Sequence, residues 1–222
     1  MNVLVAMEMS GRVREAFAKR GHNAWSCDLL DTEIPGQHYK GDIWEFLKNP
    51  PCKFDLVIAH PSCDFLANSG TRWMWHPDDS HKPESKRRPH PQYPKRHLEQ
   101  VRAVDFFAKC LELDVPKICV ENPIPQSILT RCVGKYSQII QPSDFGEPYR
   151  KATCLWLKGL PKLVPTNKIP REQCIEQCHR ESPGPMRKIN RSRTYQGVAN
   201  AMAEQWSNYG KRQPVHYELN QR

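Results

Sequence analysis

Short apolar runs alternate with amphipathic segments along the chain, and this alternation predicts strands with helices between them. The strand-like runs are residues 3–6 and the stretches NAWSCDLL, FDLVIAH, KICVENP and ATCLWLKGL, with HYKGD as a shorter candidate. Val13 and Phe17 repeat at helical spacing, which predicts a helix with Ser10 as its N-cap and Gly21 at its end. A longer helix is predicted over residues 97–113, because one face is apolar at every third position: Leu98, Val101, Val104, Phe107 and Cys110.

The strand-like runs are continuously apolar rather than alternating, which is typical of strands buried on both faces of a sheet. The sequence therefore predicts an α/β fold with a mainly parallel sheet and helices on both faces. A polar or reactive side chain follows each of five predicted strands: Glu8, Asp28, Asp42, Cys63 and Glu121. Because ligands bind beyond the carboxyl ends of parallel strands, we expect these side chains to line one crevice.

The length of 222 residues suits one domain over 1–222, and the sequence contains no internal repeat. Residues 74–96 form a basic, proline-rich segment that is too polar for a core. Residues 161–190 form a second proline-rich segment, interpreted as an insertion. Residues 211–222 are expected to be a flexible tail.

Charge and cysteine content narrow the partners and the compartment. Lys and Arg number 33 against 24 Asp and Glu, and the net charge of +9 favours a polyanionic partner such as nucleic acid. No apolar run approaches the roughly 18 residues of a membrane helix, and the first residues do not read as a signal peptide. The nine cysteines mostly occupy apolar patterns, which favours a reduced, cytoplasmic protein without a membrane partner.

The residues at the strand ends point to one kind of chemistry. A thiolate can add to carbon 6 of a pyrimidine ring while a carboxyl group protonates nitrogen 3, which makes carbon 5 nucleophilic. Cys63 and Glu121 supply these two groups. Acidic residues after the second and third strands, Asp28 and Asp42, suit the hydroxyls and the amine of a nucleoside cofactor.

In these motifs the chain resembles the DNA cytosine-5 methyltransferases, and in particular a compact group found in phage and prophage genomes. The matching stretches occur in the order of that family and span roughly residues 1–206: VAMEMSG, CDLL, GDI, HPSC, ENP, FGEPYRKATCLWL and TYQGVANAMAEQW. The resemblance implies a Rossmann-like fold that uses S-adenosylmethionine, with a minimal or absent target-recognition domain. It also implies methyl transfer to carbon 5 of cytosine in DNA, through a covalent adduct.

The resemblance also implies roles for individual residues. Cys63 would be the nucleophile, Glu121 the proton donor to nitrogen 3, and Lys151 would steady the target base. Asp28 would contact the ribose and Asp42 the adenine of the cofactor, with further cofactor contacts from Glu8, Ser10, Gly11, His60 and Asn200. The substrate contacts would come from Asn68, Arg72, Arg150, Arg191 and Arg193.

The chain departs from the family pattern at several positions. Ser62 replaces a second proline beside the cysteine, Thr153 replaces the second arginine of the base-contacting strand, and the cofactor loop keeps only Ser10-Gly11 of a longer glycine motif. Arg191 or Arg193 is a candidate for the missing cation. Only about forty residues separate CLWL from the closing helix, so sequence recognition would depend on a short loop or a partner.

Other interpretations remain open at this point. Cys63 is also compatible with a buried structural thiol, and Glu121 with a helix cap. The same chemistry on a free pyrimidine nucleotide or RNA, a nucleic-acid-binding protein without turnover, and a cysteine hydrolase with His60 as base are the alternative functions. Cys174, Cys178 and His179 resemble a metal motif, but adjacent Cys-His is poor geometry for one zinc ion, so no metal site is predicted. The stretch KRRPHPQYPKR is a candidate nucleic-acid contact or a solvated loop.

Overall fold

The chain forms one seven-stranded sheet in a computed structural model that describes residues 1–175, 181–182, 184, 186–207 and 209. The strands are β1 (Asn2–Ala6), β2 (Asn23–Asp28), β3 (His38–Lys40), β4 (Leu56–Ala59), β5 (Lys117–Pro123), β6 (Gln138–Ile140) and β7 (Thr153–Lys158). Their order is β3-β2-β1-β4-β5-β7-β6, and among these strands only β7 runs against the others. This order and the antiparallel β7 are typical of the Rossmann-like methyltransferase fold, which confirms the predicted fold class.

Helices cover both faces of this sheet, as the continuous apolar strands predict. The helices are α1 (Arg12–Ala18), α2 (Ile43–Lys48), α3 (Arg96–Leu111), α4 (Ser127–Val133), α5 (Met186–Ser192) and α6 (Gln196–Ser207). On one face α1 and α6 pack on alternate strand residues, with Phe17 and Trp206 fully buried. On the other face α2, α3 and α4 pack on the remaining strand residues around Phe107. Burial of each such side chain contributes about 1.5–3 kcal/mol.

The register of β4 on β5 places the candidate chemistry. The two strands are parallel, with Leu56 opposite Lys117 and Ala59 opposite Val120. His60 and Glu121 therefore emerge side by side at the carboxyl edge of the sheet. In a strand, successive side chains point to opposite faces, so a slip of one residue would separate this pair.

Hydrogen bonds fix the loop that follows β4 against the loop that follows β5. Gln126 N donates to Leu66 O at 2.7 Å, and Gln126 Nε2 donates to Ala67 O at 3.1 Å. In the opposite direction, Asn68 N donates to Ile124 O at 2.8 Å. The loop that carries Cys63 is therefore held at its far end by the neighbouring strand's loop.

The start of α1 differs from the prediction. Ser10 is not the N-cap, because Gly11 occupies that position with φ of 69° and the helix begins at Arg12. The side chain of Glu8 accepts a hydrogen bond from Val13 N at 3.0 Å, and Ser10 Oγ donates to the same carboxylate oxygen at 2.7 Å. A carboxylate three residues upstream of the helical cap position thus satisfies a backbone donor of the first turn, and Ser10 supports that carboxylate.

The basic segment 74–96 is ordered around a buried carboxylate. Asp79 accepts hydrogen bonds from Arg88 Nε at 2.9 Å and Arg88 NH2 at 2.8 Å, and it pairs with Lys82 at 2.8 Å. These contacts hold the pKa of Asp79 well below its usual range, with the Arg88 hydrogen bonds as the main cause. His90 stacks on Tyr93 at 5.3 Å between ring centroids. The segment contains two short 3-10 helices, Pro77–Asp79 and Glu84–Lys86, and part of its positive charge is used internally.

The predicted long helix agrees with the structure to within two residues at each end. The long helix covers Arg96–Leu111 where residues 97–113 were predicted. In the predicted insertion, Asn167 and Ile175 form isolated bridges with Phe145 and Tyr149. The predicted tail, residues 211–222, lies outside the described residues. In the described part of the chain, every helix is too short or too polar to cross a bilayer.

Replacing Asp79 by Asn should loosen the segment 74–96 without unfolding the sheet. The neutral amide cannot balance the charges of the Arg88 guanidinium and the Lys82 ammonium group, so the segment opens locally more easily. Limited tryptic digestion after Lys86 and Arg87, followed by mass spectrometry, should then be several-fold faster than in the wild type.

The matched control for this change is Asp78→Asn, which removes a neighbouring, mostly exposed carboxylate. Equal cleavage rates in both variants and the wild type would show that Asp79 does not organise the segment.

Candidate active site

Three candidate residues from separate elements meet at the carboxyl edge of the sheet. Cys63 lies in the loop after β4, Glu121 lies within β5, and Lys151 lies two residues before β7. The charges of Lys151 and Glu121 both act on the Cys63 thiol, and Lys151 also acts on Glu121. The structure therefore brings together the three residues predicted from the sequence as catalytic.

His60 completes this group and lies closest to Glu121. Its Nδ1 atom is 3.1 Å from Glu121 Oε1, and both side chains are largely buried, with 7% and 15% exposure. The alignment at the ring nitrogen is too poor for a regular hydrogen bond, and within the described residues Nε2 has no partner. His60 makes no hydrogen bond to Cys63, so the arrangement does not favour the cysteine-hydrolase alternative.

Opposing effects set the protonation of this pair. Burial lowers the pKa of His60, but the carboxylates of Glu121 and Glu8 together outweigh burial and raise it. Burial likewise raises the pKa of Glu121, but His60 and Lys151 outweigh that effect and lower it. Both shifts favour the ionised pair, an imidazolium facing a carboxylate.

Cys63 is half-buried, and its environment favours the thiol over the thiolate. Burial raises the pKa of Cys63, Asp64 and Glu121 raise it further, and Lys151 and Arg191 oppose them. A thiol with a raised pKa reacts slowly until it loses its proton. The two cations are the groups that would stabilise the thiolate when it forms.

Helix α5 lies over the loop of Cys63. Lys188 Nζ donates to Asp64 Oδ2 at 2.6 Å, and Lys151 Nζ donates to the backbone oxygen of Arg191 at 2.8 Å. Both Arg191 and Lys188 belong to α5, so this helix connects the nucleophile loop to the cation that precedes β7. Arg191 is placed near the site, although the structure does not assign it a substrate.

The loop after β1 forms the second half of the crevice. Glu8 is buried, and its Oε1 atom is occupied by Ser10 and Val13. Its Oε2 atom is buried and has no hydrogen-bond partner in the described structure. A side chain at Gly11 would approach Arg14 NH2 to 2.8 Å, which explains why glycine is required there. A buried carboxylate oxygen without a donor is suited to a ligand that brings one.

The loop after β2 is fixed against this region by two arginines. Arg14 is fully buried and donates to the backbone oxygens of Ile34 at 2.5 Å and Pro35 at 3.2 Å. Arg193, which precedes α6, donates to both carboxylate oxygens of Glu33. Arg193 was predicted to contact substrate, and in the structure its guanidinium already holds this loop.

Asp28 and Asp42 lie at the ends of β2 and β3, as predicted. Asp28 Oδ1 accepts from Leu30 N at 2.9 Å, and Asp42 Oδ1 accepts from Trp44 N at 2.8 Å, which caps α2. Burial raises the pKa of Cys27 to about 12, and both carboxylates contribute to that shift, so they lie close to the same thiol. Leu29, beside Asp28, is 70% exposed.

The other predicted ligand residues are more dispersed. Asn68 and Arg72 are exposed in a 3-10 helix (Asn68–Trp73), where Arg72 lies 4.8 Å over the ring of Trp73. Arg150 N donates to Ile175 O at 3.0 Å. Asn200 is exposed on α6 and accepts from Gln196 Nε2 at 3.0 Å. The described contacts join none of these four side chains to Cys63 or Glu8.

A cavity of about 450 Å³ opens beside Lys151. Its lining contains four cations, two carboxylates, an amide and two tyrosines: Arg12, Lys151, Arg191, Arg193, Glu147, Glu181, Asn190, Tyr149 and Tyr195. The rings of Tyr149 and Tyr195 lie 5.2 Å apart at an angle of 30°. Glu147 Oε1 accepts from Gly197 N at 2.9 Å at the start of α6. The cavity is therefore net positive, with aromatic surface.

Sequence reasoning missed several residues that build this site. Gln126 anchors the nucleophile loop, Arg14 anchors the loop after β2, and Glu147 caps α6. The partnership of His60 with Glu121 was also missed. Only the last had a readable signal, because two parallel strands that both end in ionisable residues place them side by side when their register is aligned.

The described residues contain no cluster of three or more His, Cys, Asp or Glu side chains suited to a metal ion. Cys174 is described and is half-buried. Cys178 and His179, the other members of the motif considered above, lie outside the described residues.

Comparison with solved structures gives distant likenesses, one of them to a prophage-encoded protein. The chain is similar in structure to a candidate DNA modification methyltransferase encoded within a prophage of E. coli, with a TM-score of 0.43 and 16% sequence identity. The similarity covers 77% of this chain and 52% of that one, so this chain spans about half the length of that protein. No protein-family model matches the sequence, and no curated protein matches it. A likeness this distant assigns no activity.

Alkylation of Cys63 should be slow at neutral pH and should accelerate with a midpoint above the ordinary thiol value of 9.0. The thiolate is the reactive form, and burial disfavours it. Lys151→Gln should move the midpoint still higher, because it removes a charge that stabilises the thiolate. Iodoacetamide labelling, read by peptide mass spectrometry with the exposed Cys132 as internal reference, measures both values. A midpoint near 7 would contradict the burial described above.

Proposed function

We propose that this protein transfers a methyl group from S-adenosylmethionine to carbon 5 of cytosine in DNA, with Cys63 as the covalent nucleophile. The observation that carries the proposal is the meeting of the Cys63 thiol, the Glu121 carboxyl group and the Lys151 ammonium group at one edge of the sheet. A thiol and a proton-carrying acid with a nearby cation are the groups that addition to a pyrimidine ring requires.

Several residues of the chain have separate roles in the addition step. Cys63 loses its proton, and its Sγ atom forms a bond to carbon 6 of the ring. Glu121 delivers a proton to nitrogen 3, so that the negative charge produced by the addition is neutralised as it forms. Lys151 and Arg191 stabilise the thiolate before the attack and add positive potential around the ring. The resulting carbon 5 is nucleophilic.

The residues on the β1 to β3 side of the crevice fit a sulfonium nucleoside cofactor. Glu8 Oε2 is a buried acceptor without a donor, and it suits the ammonium group of the methionine portion. Asp28 and Asp42 each use Oδ1 within the protein, which leaves the second oxygen of each available for a ribose hydroxyl or an adenine amine. The exposed Leu29 offers an apolar contact for the adenine ring. When bound, S-adenosylmethionine would supply the electrophilic methyl group.

Several features favour DNA as the substrate. The net charge is +9, and α5, which lies over the loop of Cys63, carries Lys188 and Arg191. Phosphate contacts by such side chains provide affinity without reading sequence. Only a short segment stands between β7 and α6, which is consistent with little sequence recognition by this chain. The segment 74–96 remains a candidate contact, through those cations that Asp79 does not engage.

The cavity beside Lys151 favours a second candidate substrate, a free pyrimidine nucleotide. Its volume of about 450 Å³ falls within the range of small-molecule sites. The four cations suit a phosphate, and the paired tyrosines suit a base or a sugar. The chemistry at Cys63 would be unchanged.

Cys63→Ala should abolish methyl transfer to DNA, and 5-fluorocytosine in a duplex should trap the wild-type protein as a covalent adduct at Cys63. Fluorine at carbon 5 blocks the final elimination, so the adduct persists. Intact mass spectrometry detects the adduct, and a labelled methyl donor measures turnover. Cys132→Ala, which changes an exposed cysteine on α4, should behave as the wild type. Turnover that survives Cys63→Ala would contradict the proposed mechanism.

Duplex DNA should compete effectively with deoxycytidine monophosphate in a single methyl-transfer assay, because DNA can use the basic surface outside the cavity. Product mass spectrometry separates the two methylated species. Preferential methylation of the mononucleotide would instead select the second candidate. In that case Arg12→Gln, which changes a cation of the cavity, should raise the KM for the nucleotide by about tenfold, the loss expected for one charge-assisted hydrogen bond.

A further inference from the structure

The structure places two ionisable groups where the chemistry calls for one acid. His60 and Glu121 end neighbouring parallel strands, with Nδ1 and Oε1 at 3.1 Å. Both side chains are largely buried, while Glu121 keeps some exposure towards the crevice. The second ring nitrogen of His60 is also buried and unpartnered among the described residues. A histidine in this position is therefore neither a surface residue nor a fully satisfied core residue.

The charges around His60 favour its protonated form. Glu121 on β5 and Glu8 in the loop after β1 are the anionic groups that face it, and Lys151, before β7, is the cation. With a neutral imidazole, the pocket would hold two carboxylates against one ammonium group. A protonated imidazole balances these charges, which matters because unpaired charge is costly to bury.

We propose that His60 is a positioning residue that stores the proton which Glu121 passes to nitrogen 3 of the target pyrimidine. This inference rests on the proposed function, because it specifies the acid of that reaction. The acid of the site is then a His60–Glu121 pair, in which Glu121 is the group that touches the substrate and His60 acts through it.

The proton and electron changes balance as follows. Cys63 first loses its proton to water. As the bond from Sγ to carbon 6 forms, the carbon 5–carbon 6 double bond shifts to carbon 4–carbon 5, and the electron pair of the carbon 4–nitrogen 3 double bond moves to nitrogen 3. The proton on His60 Nδ1 moves to the Glu121 carboxylate and from there to nitrogen 3, which leaves a neutral imidazole and an ionised Glu121. After carbon 5 has been methylated, nitrogen 3 returns its proton by the same route. Water then takes the proton from carbon 5, the carbon 5–carbon 6 double bond forms again, and the bond from carbon 6 to Sγ breaks to release the Cys63 thiolate.

The pair can be tested without turnover. In the substrate-free protein, the imidazole signals of His60 should titrate above the ordinary value of about 6.5. Glu121→Gln should move that titration below the ordinary value, because burial would then dominate. Two-dimensional NMR of ¹³C-labelled histidine, with His60 assigned by His60→Gln, measures both. Titration at or below the ordinary value in the wild type, or no effect of Glu121→Gln, would overturn the proposal.

Kinetics test the role of the pair in the reaction. The rate of adduct formation with 5-fluorocytosine duplex should fall at high pH as His60 loses its proton. His60→Gln should slow adduct formation by about a hundredfold, within the range usual for general acid catalysis, and should abolish that fall. His22→Gln, which changes a half-buried histidine beside the first residue of the chain, should keep both the rate and the fall.

The outcomes distinguish this inference from the proposed function on which it rests. An adduct that forms in His60→Gln with wild-type rate and pH profile overturns the role of His60 and leaves the nucleophile intact. Absence of any adduct at Cys63 in the wild type overturns both proposals. A wild-type rate of adduct formation that hardly changes with pH, together with a His60 titration that Glu121→Gln leaves unchanged, also counts against the pair as a proton store.

Discussion

The alignment of β4 with β5 is the constraint on which the rest of the site depends. Because Ala59 pairs with Val120, the next residue on each strand faces its neighbour across one strand spacing, about 4.8 Å. That spacing is short enough for a direct contact between His60 and Glu121. The same two strands continue into loops that are joined through Gln126, which also fixes the loop that presents Cys63. The Cys63 thiol and the Glu121 carboxyl group are thus positioned by a single strand pairing.

The electrostatics of the site reflect a conflict between stability and chemistry. An acid must carry a proton to protonate a ring nitrogen, whereas Lys151 and His60 both favour the ionised form of Glu121. A nucleophile must lose its proton, whereas burial and Asp64 keep it on Cys63. Without substrate, Glu121 and Cys63 are therefore each held in the protonation state opposite to the one that reacts. An arrangement of this kind limits reactivity of the thiol until a substrate changes its surroundings.

The sequence predicted the sheet, the two helical faces and the strand-end residues, because apolar periodicity reports burial directly. It did not predict the reversed direction of β7 or the short strand β6, since an apolar run carries no information about its partner. It misplaced the cap of α1, because the left-handed conformation of Gly11 and the reach of Glu8 are properties of the loop as a whole. The buried Asp79 was missed for a related reason: two cations around one carboxylate look, in sequence, like a solvated polar loop.

The sequence predicted which residues form the candidate site, but it did not predict how most of them are arranged. Cys63, Glu121 and Lys151 were named from their sequence motifs, and the structure brings them together. Arg193 shows the limit, because its position near the site was anticipated but its engagement with Glu33, far away in sequence, was not. Contacts between remote segments require the fold and cannot be read from local pattern.

Two such remote contacts affect the order in which the parts of the molecule can assemble. The loops after β1 and β2 are tied to the segment before α6 by Arg12, which donates to Thr194 O at 3.0 Å, and by Arg193 with Glu33. These bonds join residues 182 and 160 positions apart, and α6 itself packs on α1. During synthesis, the amino-terminal strands can pair long before this closing segment leaves the ribosome. The β1 to β3 side of the crevice is therefore the last region to be completed, and a nascent chain that lacks this segment would leave that side open.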